Sequence, residues 1–423
     1  SRVECVRQSV SRSTGGQHID LTLKIISDIS HSIGARLILL VVTLTTVLLN
    51  THFLGEKGLG EVALLQFGLL LVTGMAGFVA AGAVVYVRRS HRARDIRKVA
   101  YLWCGVSAIV ASGIGVALGV IPTEWLYASA GLGLLQSLVV FHSQLLIASG
   151  RIRSNNYLQI AQTSTLLLTV FVTYILFDIA TPRGFMWALT GALSVTLMYS
   201  LFALKGSWEE GPTSGKEDKN SPGGILLKYG AQGSTGSVLQ LLTNRANLSL
   251  LDHFIGAAGA GVYSVVYYGV EAVWTVARAL APIVNTEVAS ASSREARHSI
   301  TRRYLHRTLL LTLPLALLTG LIPESMYTWV FGIEGISLPL RILIPGMLAG
   351  ATSSILAHHL SAIGLHKWNA ITSGIGLFVL VSIGWFVVPL YGVPGAAFAA
   401  SCAYLAQTSG LAIAFLKADR KES

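Results

Sequence analysis

Within VYYGVEAVWTVARALAP (266–282) a carboxylate and a guanidinium, Glu271 and Arg278, interrupt an otherwise apolar run. At 3.6 residues per turn, positions 271, 274/275 and 278 fall along one helical face. Thr275 keeps that face partly polar, as suits a position lining a cavity. Upstream, TNRAN (243–247) sets Arg245 between Asn244 and Asn247. Ionised groups in apolar helices are costly unless they face water or a partner, so they mark pathways, relays or charge networks. Seven residues exceed the ordinary reach of an intrahelical ion pair, so Glu271 and Arg278 are each expected to meet another helix or water. Two readings fit: a structural charge network, or a cationic cavity whose guanidiniums match phosphate oxygens in bidentate geometry. Asn244 and Asn247 would add hydrogen bonds, and Lys228 is a further candidate at the entry of the same helix. Arg36, preceded by Asp28 and His31, reads equally as a lining residue or as an anchor reaching the interface.

Other chemistries have little to stand on. The chain contains neither G-x-x-x-x-G-K-[ST] nor H-E-x-x-H, and His358–His359 are adjacent rather than spaced for a metal. Cys5, Cys104 and Cys402 are too scattered for a disulfide framework or a metal cluster. No enzyme and no cofactor are expected, beyond a coupling ion of unidentified nature. The net charge of +11 concentrates in short segments between apolar runs, where it sets topology and not nucleic-acid binding.

The elements that must position these groups are membrane helices. Apolar residues make up 52% of the 423-residue chain and charged residues 12%, against about 25% charged in soluble domains. Mean hydropathy is +0.62. The runs predict twelve spans: 33–50, 62–86, 100–120, 126–148, 157–178, 184–204, 225–250, 257–289, 308–330, 338–362, 368–388 and 392–416. The seventh is rich in polar residues, as for a helix facing a cavity. Arginine and lysine gather after the second, fourth, eighth, tenth and twelfth spans, which puts both termini in the cytoplasm of a cell whose cytoplasmic membrane the chain crosses. KGSWEEGPTSGKEDKNSPGG (205–224) reads as a linker. The expected organisation is a flexible cytoplasmic tail (1–24), a six-helix lobe (25–204), the linker (205–224), a second six-helix lobe (225–416) and a cytoplasmic tail (417–423).

The halves echo each other. THFLGEKGLG (51–60) returns as DHFIGAAGAG (252–261), and SGRIRSN (149–155) has a counterpart in IGLHKWN (363–369), each with Gly five residues before Asn. Copies at the same topological position in the same orientation imply a parallel repeat about an axis along the membrane normal. His52 and His253 in these turns read as interfacial or structural. In the first half, Gln66, His142, Gln144 and Gln162 could line a sugar-accommodating cavity, although ordinary interhelical bonding is the commoner role.

The segments FLGEKGLGEVALLQ (53–66), YGAQGSTGSVLQLLTNRANLSLLDHFIGAAGAGVYSVVY (229–267) and YGVPGAAFAA (391–400), with R-A-N at 245–247 followed by G-x-Y at 261–263, resemble the lipid-linked oligosaccharide and polysaccharide flippases. These form the O-antigen-flippase-like branch of the multidrug/oligosaccharidyl-lipid/polysaccharide exporter superfamily. The resemblance implies an all-α, V-shaped alternating-access transporter of twelve transmembrane helices in two lobes. It would carry an undecaprenyl-pyrophosphate-linked glycan, or a similar polyprenyl-linked sugar, to the outer leaflet. Its cationic cavity would hold the pyrophosphate on Arg36, Arg245 and Arg278. Membrane lipids and a polysaccharide polymerase or synthase are the implied partners. Two departures matter: related peptidoglycan-precursor flippases typically have fourteen helices, and multidrug exporters of the superfamily usually rely on buried acids, of which Glu271 is the main one here. An ion-coupled multidrug or small-molecule exporter is therefore the alternative.

Overall fold

The computed structural model describes the backbone over residues 2–212 and 221–418, and side chains at 39, 41–208, 210–212 and 221–418. The expected tail at 1–24 and Arg36 lie outside the described side chains, as do residues 213–220 of the expected linker and 419–423 of the C-terminal tail. Among the described residues the chain is all-helical. Its helices are α1 (Arg2–Ala80), α2 (Gly82–Val87), α3 (Ala93–Ala117), α4 (Leu126–Ala148), α5 (Ile152–Phe171), α6 (Pro182–Ala203), α7 (Pro222–Ile255), α8 (Ala257–Ser290), α9 (Arg294–Leu321), α10 (Glu324–Phe331), α11 (Ser337–Ala362) and α12 (His366–Ala418). Eight stretches among the described residues are long and apolar enough to cross a membrane by length and composition. They include Val41–Val87 and His366–Ala418, which run through the breaks in α1 and α12, but not α7 or α8.

Glycine makes those breaks. Gly55 in α1 adopts φ 62° and ψ −173°, and Gly392 in α12 adopts φ 58° and ψ −131°. Both lie on the left-handed side of φ, which a residue with a Cβ avoids. Gly256, the counterpart of Gly55 in the second copy of the repeat, has φ 83° and ψ 174° between α7 and α8. The two copies also touch. A Cβ on Gly60 would lie 1.7 Å from the Ala257 carbonyl oxygen, and one on Gly261 would lie 2.0 Å from that of Glu56. Glu56 and Ala257 are equivalent positions, 201 residues apart like Gly60 and Gly261, so the contact is reciprocal. The close approach continues between α1 and α7: Ser234 donates to the Gly77 carbonyl at 2.9 Å, and a Cβ on Gly230 would lie 1.7 Å from the Phe78 carbonyl oxygen.

The second echo repeats with equal fidelity. Gly150 and Gly364 close α4 and α11 at φ 71° and 79°. In each case the glycine N–H bonds three residues back and the next N–H bonds five back, to Leu146 and Leu360. Asn155 then accepts from Ser143 at 2.6 Å, while Asn369 donates to the Ala357 carbonyl at 3.0 Å, each bond reaching back twelve residues across its turn.

One expectation is corrected. The ninth span, expected over 308–330, is α9 (Arg294–Leu321) followed by the separate α10. The arginine-rich stretch read as a loop is helical because Ser293 caps it, accepting from the Ala296 N–H at 3.1 Å, with Glu295 in the first turn. Pro323 separates it from α10. The first residues of the expected linker make side-chain contacts with the first half. Arg88 donates to the Gly211 carbonyl at 2.6 Å and pairs with Glu210 at 3.4 Å, Arg151 pairs with Glu210 at 3.0 Å, and Arg97 stacks on Trp208 at 4.8 Å. Burial lowers the Arg88 pKa from the usual guanidinium value, an effect that Glu210 opposes.

Candidate functional site

A cavity of about 560 Å³ lies among α7, α8, α11 and α12, with Leu70 of α1 on its wall. The polar face of α7 lines it through Gly233, Ser237, Gln240 and Asn244, at the three-to-four-residue spacing of one helical stripe. This is the cavity-facing helix that its polar composition predicts, and it explains why α7 is not among the apolar stretches.

Glu271 is the charge centre. It lies 3.7 Å from Arg245 across the α7–α8 interface and 3.3 Å from Arg278 two turns along its own helix. The expectation that Glu271 and Arg278 would not meet is therefore corrected. Seven residues span about 10.5 Å of helix axis, and the long arginine side chain folds back along the face to close that distance. Arg245 is mostly enclosed, at 17% exposure, and its guanidinium lies 4.0 Å from the Tyr267 ring centroid. Arg278 is 52% exposed. The two arginines thus differ in kind: one is held by a carboxylate and an aromatic face, and the other keeps much of its donor capacity open.

The intervening position is Trp274 and not Thr275. Trp274 is buried on the cavity wall, and its indole N–H donates to the Met347 carbonyl at 2.8 Å. A Cβ on Gly350 would lie 2.3 Å from that indole, so glycine is what lets α11 approach. Thr275 is exposed and bonds back to the Glu271 carbonyl at 3.0 Å.

Beside the charges lies an amide and hydroxyl cluster of which only Asn244 was singled out from the sequence. Gln407 donates to Gln240 and, at 3.1 Å, to Ser373. Ser373 donates to Gln240 at 3.2 Å, and Gln240 donates to Asn244 at 3.0 Å. His358 and His366 also line the cavity. Gln240, Asn244 and Arg245 share one short stretch of α7, a signal the sequence offered. Ser373 and Gln407 join them only through the packing of α12 against α7.

Other candidates fall elsewhere. Asn247 is buried away from the cavity, donating to the Tyr263 hydroxyl at 2.8 Å and the Ala396 carbonyl at 3.1 Å, which makes it a helix-packing group. Lys228 is exposed near the start of α7 and does not line the cavity. His142 is buried in the first half between the Tyr101 hydroxyl at 2.7 Å and Ser200 at 2.6 Å, and Gln162 donates to Gln136 at 3.3 Å. The cavity belongs to the second half, rather than being shared equally with first-half residues.

By sequence the chain matches no family model and no curated protein. By structure it is similar to several transporters. One is an inward-facing multidrug resistance transporter of the MATE family in the MOP superfamily, with TM-score 0.69 and 11% identity over 90% of this chain and 96% of the other. Another is a mutant of the Vibrio cholerae MATE transporter VcmN, with TM-score 0.62 and 16% identity over 93% and 97%. The eukaryotic MATE transporter AtDTX14 follows with TM-score 0.56 and 12% identity over 94% and 98%. At these identities the likeness is one of fold: this chain has the architecture of the MATE transporters, that of a multi-pass membrane protein.

Proposed function

We propose that the chain is an alternating-access transporter of two six-helix lobes, 25–204 and 225–416, joined by the 205–224 connection. The twelve spans are α3 to α9, α11, and two each from α1 and α12 across their glycine breaks. Both termini are cytoplasmic in this reading, following the basic segments.

The substrate we propose is a polyprenyl-pyrophosphate-linked oligosaccharide or polysaccharide repeat unit, moved from the cytoplasmic to the outer leaflet. The observation that carries this reading is the cavity's charge: two guanidiniums against one carboxylate, beside a cluster of amides and hydroxyls. Arg278, the more exposed guanidinium, takes the pyrophosphate. Arg245 supplies field rather than contact. Gln240, Asn244, Ser373 and Gln407 offer donors and acceptors suited to sugar hydroxyls. An ion gradient or the membrane potential supplies energy, about 2.3 kcal/mol per charge per 100 mV. A polymerase or synthase would take the product.

A second reading, an ion-coupled multidrug or small-molecule exporter, has a specific observation in its favour. The similar solved structures include a multidrug resistance transporter, and Glu271 would then bind a cation. The fold likeness favours this reading over the glycolipid; the excess of guanidinium favours the glycolipid. Binding to the purified chain separates them. The glycolipid reading expects saturable binding of polyprenyl pyrophosphate that weakens roughly tenfold or more in Arg278→Ala, as for loss of a charged hydrogen bond. Saturable binding of a lipophilic cation, lost in Glu271→Gln, with none of the pyrophosphate, supports the exporter.

A further inference from the structure

A second concavity, of about 480 Å³, lies in the first half between the Thr123–Trp125 turn with the start of α4 and the start of α6. By chain topology this is the end opposite the Arg88–Glu210 contacts. Glu124 and Arg183 line it and bring one charge of each sign. Leu132, Leu135 and Met186 line it further along α4 and α6, so charged groups and an apolar wall share one groove. Tyr127 and Trp187, also on the groove, are 87% and 65% exposed, the placement of aromatic side chains at a membrane–water interface.

Trp125 closes the floor of the groove: it is 6% exposed and packs into the first-half apolar core. The groove thus offers a guanidinium and a carboxylate at its exposed end and a hydrocarbon wall beyond them.

We propose that this groove is a binding site for a zwitterionic phospholipid with a primary ammonium, of the phosphatidylethanolamine type. Arg183 pairs with the phosphate, and Glu124 accepts hydrogen bonds from the ammonium. An acyl chain lies along Leu132, Leu135 and Met186. The ammonium distinguishes this lipid from phosphatidylcholine, whose quaternary nitrogen has no proton to give Glu124. Its positive charge distinguishes it from phosphatidylglycerol, whose head group offers Glu124 no cation.

The test is native mass spectrometry of the full chain, stripped of lipid and titrated separately with phosphatidylethanolamine, phosphatidylcholine and phosphatidylglycerol. One tightly retained phosphatidylethanolamine is expected, bound roughly tenfold more strongly than the choline lipid. Glu124→Gln should weaken phosphatidylethanolamine more than the choline lipid and so narrow that preference, and Arg183→Gln should weaken both lipids. Both substitutions sit at exposed positions, so the variants should fold as the wild type does. Equal retention of all three lipids by the wild type, tighter retention of phosphatidylglycerol, or no response to Glu124→Gln and Arg183→Gln would overturn the proposal.

Discussion

Glu271 holds two arginines with different exposures, and the difference makes each substitution distinguishable. Removing its charge in Glu271→Gln leaves Arg245 enclosed against Tyr267 with its ion-pair partner gone. A cost of about 1–3 kcal/mol is expected, read as a lowered thermal midpoint of the purified chain. Arg278→Ala removes the more exposed partner, so its stability cost should be about 0–1 kcal/mol while substrate binding fails. Equal destabilisation by both variants would show Arg278 to be a structural charge. The residue types of this site were legible in the sequence because charges interrupt apolar runs. Their pairing was not: whether an arginine folds back two turns depends on side-chain path, and the choice between Trp274 and Thr275 depends on how α11 approaches at Gly350. Asn247 shows the same limit, since its neighbour Asn244 faces the cavity while Asn247 itself is committed to Tyr263 and Ala396.

The glycines of the repeat do two separable jobs at the element scale. Gly55 and Gly256 have open space where a Cβ would go but a positive φ, so alanine there should cost about 1–2 kcal/mol through backbone strain alone. Gly60 and Gly261 are helical, but a Cβ on them would lie 1.7 and 2.0 Å from carbonyl oxygens of the other copy, so alanine must push α1 and α8 apart. Because one separation relieves both clashes, Gly60→Ala and Gly261→Ala together should cost less than the sum of the singles. Additive costs in a double-mutant cycle of thermal unfolding would contradict the reciprocal contact. The repeat and its turns were legible because glycine marks them in both copies. The start of α9 was not, since a hydropathy reading stops where arginines begin, although a helix projecting into water needs only a cap and a first-turn acid, as Ser293 and Glu295 provide.

For the molecule as a whole, α1 packs against α7 and α8 where the two copies of the repeat meet, and the proposed alternating access would rock the halves about that contact. The all-helical membrane class was legible from composition. The location of the cavity was not, because it depends on long-range packing that brings Gln407 and Ser373 of α12 to Gln240 of α7. The charge of the cavity sets the substrate in this reading, and transport reads it out. The chain should be reconstituted in liposomes, with movement of a fluorescent polyprenyl-pyrophosphate sugar from the inner to the outer leaflet measured for the wild type, Arg278→Ala and Glu271→Gln. Movement by the wild type is expected, with loss in Arg278→Ala and retention in Glu271→Gln at a temperature where that variant stays folded. A folded wild type that moves no glycolipid but drives proton- or sodium-coupled efflux of cationic dyes, dependent on Glu271, would contradict it.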